Sequence, residues 1–220
     1  MSFDPQLCLS TILPLAEAAY QATPVLPEGW RLIQTIQPGD MGYFAVNGDM
    51  ACLAFRGTEH EQEWLSDFDA AIVPNLYGDG FVHRGFQAWY TGLRPSLVSI
   101  AAAVDPAQFK RVFFIGHSAG GALAPFAASD LFRHLGKVAE GYTFEAPRCG
   151  WFNWAGYFDR NISVWWRIEN HWDIVPHAPP DGLGYRHVGT QILVDPGYVP
   201  DAHVNHSLAQ VRAGLKKLIG

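Results

Sequence analysis

The run RVFFIGHSAGGALA, residues 111–124, sets an apolar, β-prone stretch directly against a helix of small residues, with one serine at the junction. Few folds accommodate that order. A strand must end and a helix begin almost at once, so the backbone at Ser118 has to turn sharply. Gly116 and Gly120 remove the side-chain bulk that would keep neighbouring backbones away from that turn. Such a junction belongs to chains in which strands and helices alternate and functional residues gather at the carboxyl ends of parallel strands.

The rest of the sequence has that alternation. Met50–Phe55, Val112–Ile115, Val138–Phe144 and Ile162–Ile168 are short apolar, β-branched or aromatic runs bounded by Gly, Asn or Pro, and they read as core strands. Between them, Gly85–Val104 and Ala119–His134 carry apolar residues at helical spacing, with Pro95 predicted to bend the first and Pro125 lying within the second. Gly184–Val194 reads as two short strands around Gly189, and Ser207–Ile219 as a terminal helix with Lys216 and Lys217 in its last turn. The class predicted is α/β: a mostly parallel central sheet with helices on both faces, in one domain spanning residues 1–220.

At the N-terminus, Leu9, Ile12, Leu13, Ala16, Ala19 and Tyr20 recur at helical spacing without a basic flank, so Leu7–Ala19 reads as an amphipathic helix rather than a signal peptide. Two locations stay open as expectations: cytoplasmic from the lack of a signal pattern, or secreted where a leader has been removed from the sequence or another export route is used. No apolar run reaches the length of a transmembrane segment. The 15 Lys and Arg against 21 Asp and Glu, a net charge of −6, leave no basic patch for nucleic acid. Cys8, Cys52 and Cys149 are widely spaced, form no CxxC pair and read as buried free thiols.

The junction at Ser118 has a chemical consequence. A G-x-S-x-G held between strand and helix exposes the serine hydroxyl, and the helix N-terminus aims free N–H groups at any negative charge that develops there, Ala119 N–H first among them. A serine needs a base to take its proton, and the base needs a third group to fix its tautomer. On such a sheet the partners follow in the order Ser, Asp or Glu, His. Asp173, in NHWDIVP after a strand, fits the second place, and His206 or His203, in DAHVNHSL, fits the third. No cofactor is implied.

From Tyr43 to the last helix the chain resembles the class 3 (fungal-type triacylglycerol) lipases of the α/β-hydrolase fold. The resemblance rests on AFRGT at Ala54–Thr58, VHRGF at Val82–Phe86, GHSAGGALA at Gly116–Ala124, FEAPRCG at Phe144–Gly150, and then NHWDIVPHAPP and GYRHVG. It implies hydrolysis of carboxylic esters through Ser118, Asp173 and His206, with Thr58 opposite Ala119 as the second oxyanion donor. It also implies an ester or lipid substrate, with transient contact to a lipid interface. Three positions depart from the family pattern: Ala119 replaces Leu, Glu145 replaces Gly or another small residue, and Cys149 occupies a variable place.

The family lid falls just after the oxyanion residue. Here that stretch is EHEQEWLSD, Glu59–Asp67, short and acidic, with only Trp64 and Leu65 to meet an apolar substrate or interface. Soluble or shorter-chain esters are therefore expected. An aryl or feruloyl-type carboxylesterase and an acyltransferase would use the same triad, and a binding module of the same fold would leave it idle. Trp151, Phe152, Trp154, Trp165, Trp166 and Trp172 read as core and sheet packing rather than a lipid-docking surface, with Trp151–Trp154, in a loop-like segment, the better surface candidate among them. His83, His177 and His187 read as hydrogen-bonded structural groups, and Asp67, Asp69, Asp181, Asp195 and Asp201 as solvated or capping carboxylates.

Overall fold

The structure, a computed structural model, describes residues 2–58, 70–103, 105–135 and 139–220. The lid stretch with Trp64 and Leu65 lies outside the described residues, as do Asp67 and Asp69. Seven strands form the main sheet: β1 (Arg31–Thr35), β2 (Gly42–Asn47), β3 (Met50–Phe55), β6 (Arg111–His117), β7 (Ala139–Phe144), β9 (Val164–Asn170) and β11 (Thr190–Val194), in that spatial order. From β3 onward every pairing is parallel, while β1–β2 and β2–β3 are antiparallel. The predicted parallel core is thus present, with an antiparallel edge of β1 and the buried β2 that was not assigned from the sequence.

Alternation along each strand divides the core in two. Ala51, Leu53 and Phe55 of β3 with Phe114 of β6 and Trp165 of β9 face one side; Cys52, Ala54, Phe113, Ile115, Trp166 and Ile168 face the other. The first side is covered by the helices Arg84–Ala103, Ala119–Leu135 and Phe152–Asn161. The second is covered by an N-terminal helical segment and the final helix, Leu208–Ile219. That N-terminal segment runs Pro5–Leu7, a π-helical Cys8–Ile12, then Leu13–Ala18, and Arg212 clasps its Glu17 with two guanidinium N–H groups. The three cysteines are buried free thiols. Among the described residues no helix is long and apolar enough to cross a membrane.

A second, four-stranded sheet was not foreseen. It joins β4 (Ile72–Pro74), β5 (Phe81–His83), β8 (Gly150–Trp151) and β10 (Tyr185–Arg186) in the order β10-β8-β5-β4, all antiparallel. These strands are two or three residues long, too short for side-chain alternation to reveal them. The core reading of Trp154 agrees with its full burial and its stacking on Phe126 at 5.3 Å, while the loop-like setting of Trp151–Trp154 is corrected: β8 leads straight into the helix Phe152–Asn161. That helix is short and begins without a side-chain cap, so the usual N-terminal signal is missing. Phe152, at 57% exposed, and the part-exposed Trp172 do face solvent.

Register brings the functional loops together. Phe55 pairs with Gly116, His117 with Phe144, Phe144 with Ile168, and Asn170 with Val194, so these strands end along one edge of the sheet. The helix after β6 packs tightly there: a Cβ on Gly120 would lie 2.4 Å from the Arg56 carbonyl oxygen, and one on Gly116 would lie 2.3 Å from that of Gly120. Gly120→Ala is predicted to lose about 2–3 kcal/mol of stability by forcing strand and helix apart. An unchanged midpoint in chemical denaturation would contradict this packing.

Candidate active site

Ser118 sits between β6 and the helix Ala119–Leu135 at φ +55°, a left-handed conformation rare for a side chain-bearing residue. Its N–H donates to Phe144 O (2.9 Å), and its carbonyl accepts from Gly121 N–H (2.9 Å). The turn is therefore pinned from the adjacent strand and from the helix it starts. Gly57 presses on it from the β3 exit, where an added Cβ would lie 2.8 Å from Ser118 Cβ. That places the backbone just before Thr58 directly against the serine.

Asp173 and His206 meet behind this turn. Nδ1 of His206 lies 2.5 Å from Asp173 Oδ2, and both residues are buried. Asp173 Oδ1 accepts the Val175 N–H at 3.0 Å. Burial would raise the Asp173 carboxyl, but the hydrogen bond and charge of His206, with help from Glu145 and Val175, hold it below the usual carboxylate range. An ionised Asp173 accepts from Nδ1–H, which leaves Nε2 as the basic nitrogen of the ring. The pairing also separates the two candidate histidines: His206 is buried against Asp173, whereas His203 is exposed.

The loop bearing His206 is tied down at two carbonyls. Asn170 Nδ2 donates to Asn205 O at 2.7 Å, and His117 Nε2 donates to His206 O at 2.9 Å. Asp201, predicted to cap or to be solvated, caps the turn before it by accepting from His203 and Val204 N–H. His117 is in turn held by Tyr20, whose hydroxyl accepts from Gly57 N–H (2.9 Å) and donates to His117 Nδ1 (2.5 Å). These bonds fix His117 as the Nε2–H tautomer and connect the β3 exit, the serine turn and the His206 loop. Sequence reasoning passed over Tyr20, which looked like one more apolar position of the N-terminal helix, and His117, the variable residue of G-x-S-x-G.

A pocket of ≈ 420 Å³ opens beside these groups, lined by Glu17, Tyr20, His117, His203, His206 and Leu208 among others. The remaining histidines behave as structural groups where their bonds are defined. His83 Nδ1 accepts the Phe86 N–H at the start of the helix Arg84–Ala103. His187 donates to Pro176 O at 2.7 Å, and burial, reinforced by the charge of Arg167, drops its pKa to about 3.

Residues 52–183 match the model of the class 3 lipases, well over half of the chain. The chain belongs to the class 3 lipases. It is 33% identical over 153 residues to a lipase of Rhizomucor miehei (64% of this chain, 41% of that protein). It is 29% identical over 196 residues to phospholipase A1-II 6 of Oryza sativa subsp. japonica (73% and 47%). A solved triacylglycerol lipase, described as having a serine protease triad as its catalytic centre, superposes with a TM-score of 0.76 at 26% identity, covering 84% of this chain and 78% of that one. The fold is accordingly that of the α/β-hydrolases. This class 3 lipase chain spans less than half the length of the two curated relatives.

The Tyr20 bridge yields a test. Tyr20→Phe strips the acceptor from Gly57 N–H and the donor from His117 Nδ1, and is predicted to cost about 1–3 kcal/mol in chemical denaturation. A variant as stable as the parent would show that the bridge contributes nothing.

Proposed function

We propose that this chain hydrolyses carboxylic esters, acylglycerols or other acyl esters of short to medium chain length, through an acyl-enzyme on Ser118. The observation that carries the reading is the buried 2.5 Å contact of His206 Nδ1 with Asp173 Oδ2 on the loops flanking a serine at φ +55°. The imidazoles of His117, the residue next to Ser118, and His206 lie 4.9 Å apart, which brings the base to the nucleophile's turn. The triad of the solved triacylglycerol lipase supports the same roles.

In the reaction, His206 Nε2 takes the Ser118 hydroxyl proton as Oγ bonds to the ester carbonyl carbon. The carbonyl electron pair moves onto oxygen, where the backbone N–H groups of Thr58 and Ala119 receive it; one such donor is worth about 10²–10³-fold in rate. Asp173 stabilises the imidazolium without taking its proton. As the intermediate collapses, the alcohol leaves with the proton from His206. Water, deprotonated by the same nitrogen, then attacks the acyl-enzyme and releases the acid, restoring Ser118.

The acidic EHEQEWLSD stretch favours soluble or shorter-chain esters over emulsified long-chain fat, with Trp64 and Leu65 as its apolar contacts. Apolar contact beyond that stretch comes from Trp172, Ile174 and Val204, exposed on the loops that carry Asp173 and His206, and from Tyr198 packed on Trp172 at 5.1 Å.

Ser118→Ala is predicted to remove p-nitrophenyl ester hydrolysis by at least about 10³-fold while leaving the fold intact, since only a hydroxyl is lost. His206→Ala should match it and His203→Ala should not; turnover retained in the Ser118 variant would move the nucleophile elsewhere. Initial rates across a soluble-to-emulsified ester series should rise without a jump at the solubility limit. A jump there would refute the substrate preference, and better use of aryl than alkyl esters across that series would point to an aryl carboxylesterase.

A further inference from the structure

A second carboxyl stands directly behind Asp173. Glu145 leaves the end of β7 at φ +51°, a conformation in which glycine would be relaxed and a glutamate is strained. Its N–H donates to Ile168 O at 3.0 Å and its Oε1 accepts the Asn170 N–H at 2.8 Å, two residues past that strand bond and on the turn that leads to Asp173. It is 0% exposed. An apolar side chain would fill this space without burying a charge, so volume alone does not account for a carboxyl here.

The geometry leaves one consistent protonation. Asp173 spends its oxygens on His206 and on Val175 N–H. Among the described residues no N–H or hydroxyl serves Glu145 Oε2, which is buried. Two neighbouring carboxylates that feel each other's charge and are both buried out of water cannot both be ionised. A proton on Glu145 Oε2 satisfies both groups at once: it neutralises the buried glutamate and gives Asp173 a donor.

We propose that Glu145 is a positioning residue, a carboxylic acid that donates to Asp173, fixes the orientation of that carboxylate toward His206 and withdraws part of its charge. The proposal rests on the Ser118–Asp173–His206 reading given above. Burial first, and then the charge of Asp173, push the Glu145 carboxyl well above its ordinary range, whereas His206 helps to hold Asp173 below its own. The pair therefore shares one proton, and Glu145 keeps it.

Other charges face this pair. Glu169 on β9 adds a further negative charge near Glu145, but its oxygens are bound by Arg167 and Gln191. His206 faces Asp173 from the loop before the last helix and lies against His117 of β6; Glu17 and His203 stand across the adjoining pocket.

The test measures kcat and kcat/KM against pH on a soluble p-nitrophenyl ester for the parent, Glu145→Gln and Glu145→Gly, with Ser118→Ala alongside and thermal unfolding of each over the same pH range. Glutamine keeps an N–H donor for Asp173, so its kcat should stay within about threefold of the parent with the acidic limb in place. Glycine relaxes the backbone but removes the donor. Asp173 then bears its full charge on His206, so the acidic limb should move to higher pH and kcat should fall about tenfold.

Because Glu145 is raised in the folded chain, its stabilisation is present at low pH and is lost as pH rises through its folded value. The parent should thus lose thermal stability on the alkaline side relative to Glu145→Gln, an arm that remains informative if the glycine variant does not fold. A glycine variant with unmoved limb and rate, a glutamine variant as impaired as glycine, or alkaline stability identical in parent and Glu145→Gln would overturn the proposal. Loss of the hydrolase reading looks different: the parent would show no Ser118-dependent turnover, while the alkaline stability difference would still decide whether Glu145 holds the shared proton.

Discussion

The left-handed turn at Ser118 is held by contacts that leave almost no room to relax. The strand pairing β3–β6–β7 supplies the neighbours: Phe144 O receives the serine N–H, and the carbonyls of Phe55 and Arg56 lie where any side chain at Gly120 would have to go. Strain of about 1–3 kcal/mol in such a conformation persists only when the surroundings over-determine it. Here they do, since the same sheet edge also sets the exits leading to Thr58, Glu145 and Asp173. The turn's rigidity and the mutual placement of the site residues therefore have one cause.

Polar bonds then extend that rigidity to the loop farthest along the chain. His206 follows the last strand on a segment with little regular structure, yet Asn170 and His117 grip consecutive carbonyls of it, and Asp201 closes the turn before it. Buried bonds of this kind are costly to leave half-made, so the network specifies one arrangement rather than adding much net stability. Glu145 belongs to the same logic. Buried at the end of β7, it accepts the Asn170 N–H and so ties β7 to the turn that carries Asp173.

How much of this was legible depended on the range of the interaction. The serine turn, the order of Asp173 and His206, and the parallel core strands are local patterns, and they were readable. The choice of His206 over His203 needed burial and the contact with Asp173. The edge strand β1 alternates weakly because most of it faces solvent, β2 is buried on both faces and so shows no alternation over Tyr43–Ala45, and the small sheet is built from pieces held by partners far away in sequence. The segment around Trp154 was read as loop-like for a similar reason: Trp154 stacks on Phe126 of a helix far back in the sequence, and its own helix starts without a cap. Tyr20 and Glu145 looked like an apolar helix position and a family departure. Their roles exist only where three separate segments meet.

The most direct measurement of the central claim is mass spectrometry of the folded protein after reaction with a fluorophosphonate, with the adduct mapped by peptide. A strained, base-activated serine should take up one phosphonyl group, on the peptide containing Ser118, and should fail to do so after unfolding. No adduct, or an adduct on another residue, would contradict the account.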